Sequence, residues 1–298
     1  MTEQQTLSPA TPEVAPTVAV AASPAVRKPR RRPSIAVLLS LAWIVVVLLA
    51  AIFASLLPLA DPNANVTPTS IPPFTSGAEF LGTDQLGRSV LSRLVFGAQV
   101  SLVVSVSAAA LGMVIGVTLG MMSGVRRAAD TVVGTATDAL LAFPGIVLLL
   151  ALGAAMGPGV RPLIIGLTLF SVPAFTRLAR ANTKLVNHRE YVEAARLQGA
   201  STVRVLLREV LPSVIRPVLA YFVVILAALI VAEASVSYLG LGVVPPTPSW
   251  GGMIADGQAQ LIDSPAHVLV PAFVLFVTVL SIGVLGRWLR ARTSGSRS

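Results

Sequence analysis

Six predominantly apolar stretches of this chain carry no charged residue: 34–60, 94–125, 139–160, 162–176, 217–232 and 266–286. A helix that crosses a bilayer needs about 20 apolar residues, with a range of roughly 17–25. The third and sixth stretches fit that length directly, and the second leaves room for an interfacial lead-in. The fifth becomes long enough once Glu233 is admitted near its end. The fourth is short, so Arg161 and Arg177 must snorkel to the two interfaces. The first is too long for a signal-peptide core of roughly 7–15 residues, and no small-x-small cleavage site follows it. It reads as a span near 35–57. The pattern predicts an all-α integral membrane protein with six transmembrane helices.

Composition agrees with the pattern. Of 298 residues, 54% are hydrophobic and 12% charged, with a mean hydropathy of +0.81, whereas a soluble domain carries about 25% charged residues. A soluble enzyme is excluded. The net charge of +9 raises the question of nucleic acid, and the placement of the basic residues answers it. Alternating six spans from a cytoplasmic N-terminus puts five Lys/Arg in the tail at 27–32 and two at 126–127 on the inside. Eight more fall between 177 and 216 and four after 286, leaving only Arg88, Arg93 and Arg161 outside. That is the positive-inside bias of a membrane protein, with both termini cytoplasmic and no role for nucleic acid.

The chemistry of the chain is sparse. Zero cysteines exclude disulfides, thiol catalysis and Cys-type metal sites. Neither Lys28 nor Lys184 sits in a GxxxxGK[ST] loop, so no nucleotide phosphate is cradled in the usual way. His188 and His267 stand alone without metal-ligand spacing, and no serine is flanked as GxSxG. The chain is therefore expected to be no enzyme, to hold no metal or cofactor of its own, and to take energy from another subunit. No internal repeat is visible. Gly112, Gly116, Gly120 and Gly124 recur at steps of four, which on a helix makes one groove for close backbone approach, within the chain or from a partner subunit. Glu233 is the most membrane-embedded carboxylate. It either faces an aqueous pathway or gate, or is solvated in the headgroup layer. Asp130 and Asp138 precede the third span and read as solvated at the interface.

The basic loop at 177–216 is the most informative segment. EYVEAARLQ supports a helix over 189–198, and Gly199 supplies the permissive backbone expected just past a helix end. Ser201 is placed to cap a second helix running toward Leu211, where Pro212 marks entry to the next span. The product is a helix–elbow–helix outside the membrane, with Ala194 and Ala195 permitting close approach of another surface.

EAARLQG followed nine residues later by EVLP resembles the EAA–xxx–G–x9–I–x–LP signature of bacterial ABC importer permeases. LGTDQLGRSVLSRLVFGAQVSL at 81–102, DALLAFPG at 138–145, REYVEAARLQGAS at 189–201 and EASVSYLGLGVVPPTPSWGGMI at 233–254 are similar to the C-type subunit of the dipeptide, oligopeptide and nickel importers. The resemblance covers about 35–290. It implies a type I ABC importer permease fold in a bacterial inner membrane. Composition and the uncharged runs divide the chain into a disordered basic tail at 1–34, the first span at 35–57, an extracytoplasmic loop at 58–96, a core of five spans at 97–290, and a basic C-terminal tail at 291–298. The resemblance carries further. It also implies a B-type permease partner, two cytoplasmic ATPases that bind ATP and Mg, and an extracytoplasmic peptide-binding protein. Arg189, Glu193, Ala194, Ala195, Arg196, Leu197 and Gly199 would then meet an ATPase groove. Glu209 departs from the signature at its Ile position. Thr135 stands where relatives often have Arg, which removes an expected ion partner for Asp138. Peptide is the expected cargo, with nickel or another small solute as the alternative within the family. The rival from another class is an ion-driven secondary transporter, which would want paired intramembrane carboxylates.

Overall fold

The computed structural model describes residues 34–65, 69–75 and 79–294. The basic tail read at 1–34 lies outside the described residues apart from Ser34, as does the end of the chain beyond residue 294. The helices are α1 (Ile35–Ile52), α2 (Val90–Val125), α3 (Arg127–Ala142), α4 (Gly145–Met156) and α5 (Val160–Asn187). They continue with α6 (Glu190–Leu197), α7 (Thr202–Val205), α8 (Leu211–Tyr238), α9 (Trp250–Gly257) and α10 (Ala266–Ser294). No strand occurs among the described residues, only an isolated bridge between Thr83 and Ser89. Five helical segments are long and apolar enough to span a membrane: α1, α2, α5, the run Thr202–Tyr238, and α10. A sixth exists only if α3 and α4 count as one broken span.

Several expected boundaries move, each for a physical reason. The uncharged stretch 139–160 is not one straight helix: α3 and α4 meet at 87°. Pro144 disfavours helical geometry at the residue before it, and Phe143 is extended at φ −82, ψ 129. The short fourth stretch is the apolar part of a 28-residue α5 that continues through Arg177–Asn187. The helix begun at Ser201 does not stop at Pro212. It passes through a wide π turn, Leu206–Val210, and runs on to Tyr238. Pro212 has no N–H to donate and its ring crowds the carbonyl four residues back, so a wider turn there relieves the conflict. Within the 58–96 segment, α2 begins at Val90, with Ser89 accepting from the Ser92 N–H. At the other end, α10 continues through the start of the expected 291–298 tail.

At 36 residues, and so about 54 Å long, α2 is the central strut of the fold. It lies against α5 along most of its length and also touches α1, α8, α9 and α3. Gly112, Gly116, Gly120 and Gly124 all face α5. A Cβ on Gly116 would sit 2.6 Å from the Phe175 Cβ, and one on Gly120 would sit 2.6 Å from both the Ala179 Cβ and the Thr176 carbonyl oxygen. Gly112 abuts Ser171 and Gly124 abuts Thr183 in the same way. The groove is therefore filled from within the chain. The hydroxyls at this seam turn back on their own helix, Ser171 donating to the Thr168 carbonyl at 2.9 Å and Thr176 to that of Val172 at 2.8 Å. That leaves the seam itself to close packing.

Three apolar clusters follow from this arrangement. Val47, Leu94, Ile230, Trp250, Met253 and Ile282 join α1, α2, α8, α9 and α10 near the start of α2. Val104, Leu149, Leu163, Leu167 and Leu229 fill the middle. Val117, Phe175, Ala179, Val192, Val205 and Val214 pack at the far end, where α6 docks. The outermost span, α1, is fixed on α10 by a hydrogen bond from Trp43 Nε1 to Thr278 Oγ1 at 3.0 Å. Replacing Gly120 by Val should force α2 and α5 apart at a cost of about 1–3 kcal/mol, read as a lower melting temperature of the purified protein. Gly153→Ala on α4, where a Cβ meets nothing within 4 Å, should change stability by less than about 0.5 kcal/mol.

Candidate functional site

The first site grows from the turn after α5. Glu190 and Glu193 lie in the first turn of α6 and Arg196 in its last, both signs complementing the helix dipole. Gly199 has φ +82, the left-handed conformation that side chains resist. Its N–H donates to the Arg196 carbonyl at 2.9 Å, and the Ala200 N–H donates to that of Ala195 at 3.1 Å. This is a Schellman motif, and Ala195 and Ala200 add the apolar contact that accompanies it. Ser201 then caps α7, accepting from the Arg204 N–H at 3.4 Å. The fully buried Val192 pins α6 onto Val186, Val205 and Val210. The opposite face is free. Arg189, Glu193, Ala194, Arg196 and Leu197 are exposed, Leu197 at 89%, while Ala195 is half-buried. The side chain of Arg196 is steadied by a hydrogen bond to Asn187. A short helix with an exposed apolar tip is thus held rigidly at the ends of two long helices.

Glu233, on α8, is not solvated. Its side chain is enclosed by protein at 0% exposure. One carboxylate oxygen accepts from Ser237 Oγ at 2.8 Å, and that hydroxyl in turn accepts from the Val243 N–H at 3.3 Å. The other oxygen has no hydrogen-bond partner among the described residues. Ser101 of α2 stands beside it and accepts from the Trp250 N–H at 3.3 Å. Glu233 therefore sits where α2, α8 and the start of α9 converge, closed off in this conformation. Of the two interfacial carboxylates, Asp138 pairs with Arg177 at 2.9 Å, so α5 supplies the cation that Thr135 does not. Asp130 pairs with Lys184 at 2.9 Å and with Arg180.

A second constellation, at the other end of α2, was not anticipated. Asp84 closes a tight turn, its carboxylate accepting from the Leu86 and Arg88 N–H groups at 2.9 Å each and from Arg88 Nε at 2.6 Å. Arg93, nearly fully buried, donates to the Pro62 carbonyl at 3.2 Å, to the Pro246 carbonyl at 3.3 Å and to Asp256 at 3.3 Å. One guanidinium thus ties the segment after α1, the loop before α9 and α9 itself to the start of α2. In the sequence these arginines counted charge across the membrane and fell within the 81–102 segment of the family resemblance, without a role of their own. Two arginines and an aspartate within ten residues of a sparsely charged face were the available signal. Among the described residues, no group of three or more His, Asp or Glu is arranged to hold a metal.

Residues 112–295 match the family described as the binding-protein-dependent transport system inner membrane component. The chain belongs to this family. Among its permease relatives is a glutathione transport system permease protein of Pectobacterium atrosepticum, 38% identical over 216 residues, or 72% of each chain. A putative peptide transport system permease protein of Brucella suis is 36% identical over 253 residues, 85% of each chain. The fold matches the inward-facing MetNI methionine ABC transporter at a TM-score of 0.55 and 20% identity, over 67% of this chain and 95% of that one. The permease is thus a multi-pass inner-membrane protein, with its α6 elbow and Arg93 cluster at opposite ends of α2. Replacing Arg93 by Met should strip three acceptors of their donor and cost about 2–3 kcal/mol, seen as a fall in melting temperature. Asp256→Asn should cost clearly less, because that carboxylate is 45% exposed. Equal losses would contradict the central role given to Arg93.

Proposed function

We propose that this permease is one of two non-identical membrane subunits of an ATP-driven importer for dipeptides or oligopeptides. The relatives are named for glutathione, itself a small peptide, and for peptides, which favours peptide over nickel as cargo. In this reading the chain pairs with a B-type permease, receives substrate from an extracytoplasmic binding protein and is driven by two cytoplasmic ATPases that carry ATP and Mg. The basic residues support an orientation with both termini and the 177–216 loop in the cytoplasm.

The observation that carries the proposal is the pinned elbow. α6 presents Arg189, Glu193, Ala194, Arg196 and Leu197 outward while Val192 and the Gly199 turn fix its angle. A groove on an ATPase that grips this face moves α5 directly, because α6 follows α5 after a two-residue turn. It also moves α8, through α7 and the π turn. Small alanines let the two backbones approach, the charged residues set register, and Leu197 supplies an apolar anchor. Glu233 belongs to the gate in this reading: enclosed now, it becomes accessible when α2, α8 and α9 separate. An ion-driven mechanism finds less support, since Glu233 is the lone carboxylate of α8 and is bonded to a serine rather than paired with a second acid.

The test is ATP-dependent peptide uptake by the assembled complex, with co-purification of the ATPases as a second readout. No atom lies within 4 Å of a Cβ at Gly199, so substitution there acts through backbone conformation alone, at about 1–2 kcal/mol. Gly199→Val should insert normally, bind the ATPases poorly and lose most uptake. Gly199→Asn, which tolerates the left-handed region, should recover much of both. Glu233→Gln in the same assay should assemble fully and change uptake. Wild-type values for Gly199→Val would remove the elbow from the mechanism.

A further inference from the structure

At the end of α2 remote from the elbow, a cavity of about 240 Å³ opens among Asp84, Arg88, Arg93, Met253, Asp256 and His267. Its two carboxylates are held very differently. Asp84 is saturated by two backbone N–H groups and by Arg88, and is largely buried. Asp256 is half-exposed, and its carboxylate reaches Arg93 at 3.3 Å and Arg88 at 3.7 Å, distances longer than the 2.7–2.9 Å of a well-made charge-assisted bond. Arg93 keeps two carbonyl partners whether or not Asp256 is present. Arg88 has no such reserve beyond Asp84. The wall of the cavity also includes His267, whose ring is nearly buried. Its Nδ1 meets Gln260 Oε1 at 3.1 Å, while its Nε2 has no hydrogen-bond partner among the described residues. A buried polar atom without a partner is costly, and such an atom in a cavity wall marks a place where a polar group fits. The cavity is too small for a protein loop and large enough for the end of a small solute.

We propose that this cavity is a carboxylate-binding subsite in which Asp256 is a displaceable occupant, and that the terminal carboxylate of the transported peptide takes its place beside Arg88, with the adjoining peptide N–H donating to His267 Nε2. The inference rests on the peptide reading of the cargo. The resident aspartate shows that the site accepts a carboxylate, and its loose, half-exposed hold lets a substrate carboxylate exchange with it. Exchange removes the charged tie between α9 and the start of α2, because Asp256 is the side chain of α9 that reaches the two arginines, and leaves the hydrogen bond from Trp250 Nε1 to the Leu94 carbonyl in place. Arrival of substrate and loosening of this end of the permease are then one event. Asp84 stays in place throughout and keeps Arg88 oriented.

The experiment uses the assembled complex in proteoliposomes, with saturating binding protein loaded with either a dipeptide or the same dipeptide amidated at its C-terminus. The quantity read is the ratio of uptake rates, acid over amide, compared between wild type and variants. Any preference of the binding protein is common to all and cancels. Asp256→Asn removes the charged competitor and should raise the ratio about fivefold, the scale of one ordinary net hydrogen bond. Arg88→Gln should lower it by a similar factor, while His267→Leu, which loses an acceptor used equally by acid and amide, should lower both rates and leave the ratio unchanged. Asp256→Asn is nearly isosteric at a half-exposed position, so it keeps the test valid if Arg88→Gln fails to fold. A ratio unchanged in Asp256→Asn, with both peptides transported, overturns the subsite and leaves the peptide importer standing. Failure of the wild-type complex to transport either peptide overturns the peptide reading and the subsite with it.

Discussion

The close approach of α2 to α5 is the constraint on which the rest of the structure depends. Lipid tails are as apolar as leucine side chains, so two helices in a bilayer gain little from burying apolar surface against each other. They must gain from packing density. Four glycines on one face of α2 bring its backbone against Phe175, Ala179 and Thr183 of α5, with no room for a methyl group at Gly116 or Gly120. Two helices joined this closely behave as one body. One carries the α6 elbow after its last turn, and the other begins among the Asp84, Arg88 and Arg93 cluster. The seam therefore connects the two ends of the permease mechanically, with no need for a chain of switching side chains between them.

The elbow and the charged cluster solve opposite problems. At the elbow a helix must be held firmly while one face stays free, and a Schellman turn, a serine cap and buried Val192 achieve this with short-range contacts. At the other end, segments far apart in sequence must be held together loosely enough to separate. Arg93 does so through two carbonyls and one half-exposed carboxylate, beside the apolar cluster around Leu94 and Trp250. Glu233 lies close to that end, bonded to Ser237 and shielded by the start of α9.

Much of this was legible in the sequence because it depends on local rules. Uncharged runs marked the spans, Gly199 and Ser201 marked the end of one helix and the start of the next, and the glycine period marked a close-packed face. What escaped depends on long-range partners or on local conflicts. The break at Pro144 was hidden in a run of suitable length and hydropathy, because hydropathy does not register the backbone restriction before a proline. Pro212 looked like a boundary, yet a π turn let the helix pass. The pairing of Arg93 with Asp256 spans 163 residues, and no local pattern predicts it. His267, solitary in sequence, shares a cavity wall with two arginines once α10 is folded against α9.

The central claim is that force from cytoplasmic ATPases enters at the exposed face of α6. A photo-crosslinking residue in place of Leu197, which is 89% exposed, tests it most directly in whole cells that express the complete importer. The account predicts a single major adduct with an ATPase subunit, formed inside the membrane barrier and lost when the ATPases are absent. An adduct with the extracytoplasmic binding protein, or none with the ATPases in cells that still transport peptide, would contradict it.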